Sequence, residues 1–157
     1  MKEIHTAIET EMPEAERQFV VRSLVAYNDS RTAAEDYRPL TVLSRCDGVI
    51  VGGLIGYTHW NWLFVQQLWV AEDHRQRGIG SSLMAAAESE ALARGCLHAH
   101  CDTFDFQALP FYQKLGYRIF GTLEDFPVGH TRYFLSKRDL KDRTKISSPV
   151  PEIATGR

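Results

Sequence analysis

The residues best suited to chemistry lie between Leu68 and Leu83. There Arg75-Gln76-Arg77-Gly78-Ile79-Gly80-Ser81 separates an apolar run ending at Val70 from an alanine-rich run. Glycine lets a backbone come close to an anion and adopt dihedral angles that a Cβ disfavours. In a helix starting near Ile79, the first-turn N–H groups have no intrahelical acceptor and point outward along the axis. Arg75 and Arg77 add positive charge beside them. The implied chemistry is the gripping of a diphosphate, hence a large anionic cofactor. Two other phosphate loops fit worse. No Gly-x-x-x-x-Gly-Lys-Ser/Thr run is present, and a dinucleotide fingerprint would need a third glycine where Leu83 stands.

The elements that must position this loop follow from hydrophobic period and turn residues. Residues 2–8 read as a short first strand. A helix starts at Pro13, since proline suits the first turn, with Glu14 and Glu16 at its positive end. Val20, Leu24 and Tyr27 form its inner face. Residues 28–38 are polar and read as a short helix or a loop. Leu40–Arg45 and Val49–Tyr57 read as a hairpin about Asp47-Gly48. His59-Trp60-Asn61 turns the chain into a long central strand, Trp62–Val70. After the glycine loop a helix from Ile79 to Arg94 turns Leu83, Met84, Ala87 and Ala91 inward. Glu90 and Arg94 pair on its outer side, and Gly95 caps it. Leu97–Thr103 alternates as a strand. The next helix has Ala108, Phe111 and Leu115 as its inner stripe and stops at Gly116. Tyr117–Gly121 and Thr131–Lys137 are the last two strands. The order is β-α-β-β-β-α-β-α-β-β.

A second pattern stands about thirty residues after the glycine loop. It is Asp105-Phe106-Gln107-Ala108-Leu109-Pro110-Phe111-Tyr112-Gln113-Lys114-Leu115-Gly116-Tyr117. Arg-x-x-Gly-x-Gly after a strand, followed by Ala108, Tyr112, Gly116 and Tyr117 at this spacing, resembles the two signatures of the GNAT superfamily of acetyl-CoA-dependent N-acetyltransferases. The resemblance covers residues 2–138. It implies an α/β (α+β) GNAT fold with a mixed central sheet of about seven strands flanked by about four helices. One such domain would span residues 1–140, with 141–157 a flexible tail.

Acetyl transfer to an amine needs an exposed thioester carbonyl, a neutral amine, donors for the developing oxyanion and a proton for the leaving thiolate. The resemblance implies Tyr112 as that general acid, pointing to the cofactor while Phe111 packs in the core. It implies acetyl-CoA held by Leu68, Trp69, Val70, Arg75, Gln76, Arg77, Gly78, Ile79, Gly80, Ser81, Asp105, Ala108 and Tyr112. The main chain of Leu68–Val70 would pair with the pantetheine amides where the central strand splays from its neighbour. Asp105 departs from the family's frequent Asn; an ionised Asp can only accept hydrogen bonds. It reads as a helix cap, a lure for a cationic substrate, or a cofactor contact.

An aliphatic ammonium, of pKa ~10.4 by analogy with lysine, must lose a proton before it attacks. Some family members use a Glu on the central strand, where this chain has Phe64, Gln66 and Gln67. His59 is the imidazole candidate, Asp102 and Asp105 are runners-up, and a water relay stands beside all three. On the substrate side the resemblance implies Tyr27, Asn28, Tyr57, His59 and Trp60, whose aromatic faces suit a cationic amine. Trp60 reads as cleft wall or as a core or dimer-interface residue; Trp62 reads first as core or dimer interface. His98 and His100 share a strand face near Cys96 and Cys101, without a recognisable ligand set, so packing is the reading and no metal is expected. His130 enters the last strand and is placed toward the acceptor cleft by resemblance alone. Lys137, Arg138 and Lys141 read as solvated charge.

Composition bounds the rest. The 157 residues carry a net charge of −2, which argues against nucleic acid or an anionic membrane as partner. No apolar run reaches the roughly 20 residues of a membrane span, and the N-terminus lacks a secretory pattern. Three cysteines in no framework fit a reduced, cytoplasmic protein. None stands in a nucleophile setting, so direct attack in a ternary complex is expected. The expected function is an N-acetyltransferase acting on the primary amine of a small molecule, with a homodimer plausible. The alternatives are a protein lysine or N-terminal acetyltransferase, or a weakly catalytic acyl-CoA-binding module.

Overall fold

Two short left-handed turns shape the first half of the sheet. Asp47 and Gly48 (φ 48° and 83°), and again Trp60 and Asn61 (φ 41° and 69°), take the positive-φ pairs that match strand twist in two-residue hairpins. They join β1 (Arg38–Cys46), β2 (Val49–His59) and β3 (Trp62–Val70) as an antiparallel meander. The computed structural model describes residues 3–141. The chain divides into an N-terminal unit ending at Glu35 and a larger unit beginning at Asp36.

The N-terminal unit holds α1 (Glu14–Asp29), with Pro13 as N-cap; Glu14 pairs with Arg17 at 2.6 Å. Two expectations change here. Residues 3–9 form no strand: Ile4 and Ile8 are almost fully exposed and no ladder partner takes them up. Val20, Leu24 and Tyr27 do not face inward, because a single helix in its own unit has no second element to bury them, and α1 has no buried residue. The polar stretch after Arg31 is a loop.

The larger unit is a six-stranded sheet in the order β1-β2-β3-β4-β6-β5, with β4 at His98–Phe104, β5 at Arg118–Glu124 and β6 at Thr131–Arg138. All pairs are antiparallel except β3 with β4. With α1, α2 (Ile79–Ala93) and α3 (Leu109–Lys114), the described residues carry six strands and three α-helices, near the expected seven and four. This is the mixed α+β arrangement that the resemblance implies. The expected tail lies outside the described residues beyond Lys141. No helix among the described residues is long and apolar enough to cross a membrane.

Core formation follows the sequence pattern. Leu83, Met84, Ala87 and Ala91 of α2 are buried with Leu54, Leu63, Val65, Ala99, Cys101 and Leu135 from the sheet. Each fully buried leucine is worth about 1.5–3 kcal/mol. Gly95 (φ 87°) ends α2, with the Cys96 N–H donating to the Ala91 carbonyl at 2.8 Å. Lys137, expected in solvent, is 7% exposed. Its Nζ donates to Glu88 Oε2 at 2.7 Å, and the Tyr117 hydroxyl donates to Glu88 Oε1 at 3.1 Å. The pattern of β6 puts Lys137 on the face of Leu135, and the α2 carboxylate compensates it there.

Two irregularities open the sheet. Gln66 has no direct partner on β2, because Gln67 opposes Ile55 and Val65 opposes Gly56. This bulge bends β3. Any Cβ on Gly56 would overlap the Phe64 carbonyl oxygen, so only glycine fits opposite it. The parallel ladder of β3 with β4 runs from Trp62 opposite His98 to Val65 opposite Cys101 and stops. Past it, residues 66–70 and 102–104 diverge.

Candidate acetyl-CoA cleft

At the end of β3 the Ala71 N–H is held by the Val51 carbonyl, and Glu72–His74 makes one 3-10 turn. Arg75 then runs extended, and its Nε donates back to the Val70 carbonyl at 3.2 Å. Gln76 (φ 62°) and Gly78 (φ 78°) take left-handed angles that swing the chain into α2. Gly78 is the N-cap, and among the described residues no side chain caps this end. The first-turn N–H groups of α2 therefore lie at the positive end of the helix without a side-chain acceptor. Gly80 lies under the Phe111 ring: a Cβ there would sit 3.3 Å from Phe111 Cζ.

A cleft of about 870 Å³ runs from this helix end into the gap between the strands. Residues 66–70 wall one side, Asp102, Thr103 and Phe104 the other, and Ala108, Phe111 and Tyr112 of the α3 region close it. Among the described residues the strand edges facing the gap have no ladder partner there, so an extended chain of amides can pair with them as an added strand would. These residues fit a cofactor with a diphosphate at one end and an amide arm at the other.

Tyr112 is 6% exposed at the cleft floor. Burial, reinforced by Cys101 and Asp102, holds its phenol well above the usual range, so it stays protonated. Cys101 is buried beside it, and burial pushes its thiol up to about 12. Such a thiol is a poor nucleophile at neutral pH.

Asp102 Oδ1 accepts from Arg132 Nε at 2.8 Å and lies 2.6 Å from Nη2 in the same ion pair. The guanidinium lies 5.4 Å from the Phe104 and Phe126 ring centroids and 5.3 Å from that of Phe134. Thr103 and Gln107 fix the chain before α3: Gln107 Oε1 accepts from the Phe104 N–H, and Thr103 Oγ1 accepts from the Ala108 N–H.

Leu68, Trp69, Val70, Arg75, Gln76, Gly78, Ile79, Gly80, Ser81, Ala108 and Tyr112, all expected at the cofactor, line this cleft. Arg77 does not line it and lies near Asp73, whose carboxyl is lowered first by the His74 hydrogen bond and more weakly by Arg77. Asp105 is neither a helix cap nor part of the lining. Ala108 caps α3, and the Asp105 carboxylate is taken by His130 and the Thr131 N–H. Phe111 and Tyr112 both line the cleft: Tyr112 is buried at its floor, while Phe111 is half-buried and also packs against the core. Tyr57, His59 and Trp60 gather with Tyr37 around the β2–β3 turn, away from the lining. His59 stacks on Trp60 at 4.2 Å, and Tyr57 meets Tyr37 at 4.8 Å. Tyr27 and Asn28 belong to the last turns of α1 in the N-terminal unit. His98 and His100 pack on Trp62 and Phe64.

Sequence reasoning missed His74, Gln107, Phe104, Phe106 and Arg132 as parts of the lining. Phe104 and Arg132 face each other across β4 and β6. Only the pairing of those two strands, distant in the chain, reveals them.

The acetyltransferase (GNAT) family model matches residues 2–117. The chain is 42% identical over 112 residues to the blasticidin-S acetyltransferase of Streptomyces morookaense, covering 68% of this chain and 82% of that protein. It is 39% identical over 131 residues to an acetyltransferase of Agrobacterium fabrum, covering 82% of this chain and 96% of the relative. The crystal structure of an acetyltransferase from Bacillus cereus superposes with a TM-score of 0.77 at 33% identity, covering 85% of this chain and 97% of the other. Family model, relatives and cleft agree: this chain belongs to the GNAT family of acetyltransferases, whose co-substrate is acetyl-CoA.

Proposed function

We propose that the protein transfers the acetyl group of acetyl-CoA to a primary amine of a small molecule, by direct attack in a ternary complex. One observation carries the reading: the uncapped start of α2 opens onto an unpaired gap between β3 and β4 that has the Tyr112 phenol at its floor. Acetyl-CoA, when bound, supplies an activated thioester. The N–H groups of Ile79, Gly80 and Ser81 hold its diphosphate, and Arg75 adds charge beside them. The free edge of β3 pairs with its amide arm and offers an N–H to the developing oxyanion. Tyr112 keeps its proton and donates it to the leaving sulfur. The sealed Cys101 thiol favours direct attack over an acetyl-cysteine route. A small-molecule acceptor is supported by the relative named for acetylating blasticidin S.

Tyr112→Phe tests the assignment. Calorimetry should give a coenzyme A affinity within about threefold of the parent, while thiol release falls about 10²-fold in kcat, the usual scale of a lost general acid. Unchanged kcat would remove Tyr112 from the mechanism.

A further inference from the structure

The reaction still needs a group to take a proton from the acceptor ammonium, and the cleft lining offers few. Among the described residues Asp102 is the lining's one carboxylate, and its Oδ1 is held in an ion pair by Arg132. His74 lies at the glycine-loop end, where Asp73 Oδ1 holds its Nδ1 at 2.8 Å. The other end has a different pair. His130 Nδ1 lies 2.9 Å from Asp105 Oδ1, while Asp105 Oδ2 accepts the Thr131 N–H at 3.2 Å. The Asp105 N–H donates in turn to the Thr131 carbonyl at 3.0 Å, so the end of β4 is clamped to the start of β6. The His130 ring meets Phe106 edge-on at 4.9 Å, and Phe106 lines the cleft and stacks on Phe104.

This clamp fixes the imidazole. Burial works to raise the Asp105 carboxyl, but the Thr131 N–H and the His130 ring outweigh it and hold it below its ordinary value. An ionised carboxylate only accepts, so Nδ1 must carry the hydrogen. Nε2 of the neutral ring is then the lone-pair nitrogen, on a half-exposed side chain one ring from the cleft. The backbone holds the residue from both sides: its N–H donates to the Pro127 carbonyl and its carbonyl accepts from Phe126. Asp105 from the β4–α3 segment is the charged group in contact with it; nearby in the chain and sheet are Asp125 of its own loop, bonded to the Gly129 N–H, Glu124 on β5 opposite Thr131, and Arg132, paired with Asp102.

Resting on the acetyltransferase reading above, we propose that His130 is the general base for the acceptor amine and that Asp105 is the residue positioning it. One ammonium proton passes to Nε2 and on to solvent. The freed amine forms the N–C bond as the C–S bond breaks. The second proton leaving nitrogen balances the one that sulfur receives from Tyr112.

His130→Ala and Asp105→Asn test this in the full chain. Thiol release is followed from pH 6 to 9 with a panel of primary amines that includes blasticidin S, and coenzyme A binding is measured in parallel. His130→Ala should lose about 10²-fold in kcat/KM near neutral pH. It should also lose the ascending limb of the profile, regain part of the rate with added imidazole, and bind coenzyme A like the parent. Asp105→Asn should lower kcat, with the ring tautomer shifted in histidine 15N spectra. A His130→Ala protein with kcat/KM within about threefold and the same limb overturns the proposal. A parent protein that binds coenzyme A yet acetylates nothing in the panel also overturns it, and leaves the cofactor reading standing. One that binds no coenzyme A overturns the cofactor reading itself.

Discussion

Val65 opposes Cys101 on the last rung shared by β3 and β4, one residue before the Gln66 bulge. Below this rung the strands form an ordinary parallel ladder, and above it each turns a free edge to the other. The bulge and the end of the ladder are adjacent, so the bend in β3 accounts for the opening. The same rung sets the chemistry of Cys101. It is buried and stays outside the cleft lining, whereas Asp102, the next residue, already lines the cleft.

Gly80 should be the most sensitive position of the cofactor end. A side chain there meets the Phe111 ring at its first carbon and projects into the space before the helix end. Gly80→Leu should weaken coenzyme A binding by at least about tenfold, about 1.4 kcal/mol, by calorimetry. Its far-UV circular dichroism should match that of the parent. Retained affinity would move the diphosphate away from α2.

How far the sequence foretold this molecule depends on how local each signal is. The α2 stripe of Leu83, Met84, Ala87 and Ala91, its stop at Gly95 and the turns at Asp47-Gly48 and Trp60-Asn61 need only neighbours within a few residues, and all form as read. The glycine loop is local too, and its residues line the cleft except Arg77. What escaped needs contacts between distant segments. Lys137 looks solvated until Glu88, on another element, is placed against it. Asp105 looks like a cap until the clamp between β4 and β6 claims it. Phe111 and Tyr112 are adjacent on a six-residue helix, too short for a stripe to say which is buried.

The Lys137–Glu88 pair should cost more to break than to replace whole. Both side chains are almost enclosed, so removing one partner strands the other's charge. Lys137→Met should destabilise the protein by about 3–5 kcal/mol in urea unfolding. Adding Glu88→Leu should recover part of that loss, because no charge then stays buried, while the Tyr117 hydroxyl loses its acceptor. A single variant within about 1 kcal/mol of the parent would mean that solvent reaches the pair.

At alkaline pH the stability of the protein should decline in two stages. Burial pushes the Cys101 thiol from 9.0 up to about 12, and Cys96 moves in the same direction for the same cause. Burial also raises the Tyr112 and Tyr117 phenols above their ordinary 10.0. Below the ordinary values both folded and unfolded chains hold these protons, and stability does not depend on them. Above, the unfolded chain releases protons that the fold retains, so stability falls as pH rises until the folded groups titrate. The limiting slope is about 1.4 kcal/mol per pH unit for each group. Urea unfolding from pH 7 to 11 should show a decline beginning near pH 9 from the two thiols and steepening above 10 as the phenols join. Cys101→Ala should be less stable at pH 7 for the volume it loses, yet show a shallower first stage, since one of the two thiols is gone. A parent curve that stays flat to pH 10.5 would mean that water reaches Cys101, and the rung it shares with Val65 would no longer mark the closed end of the cleft.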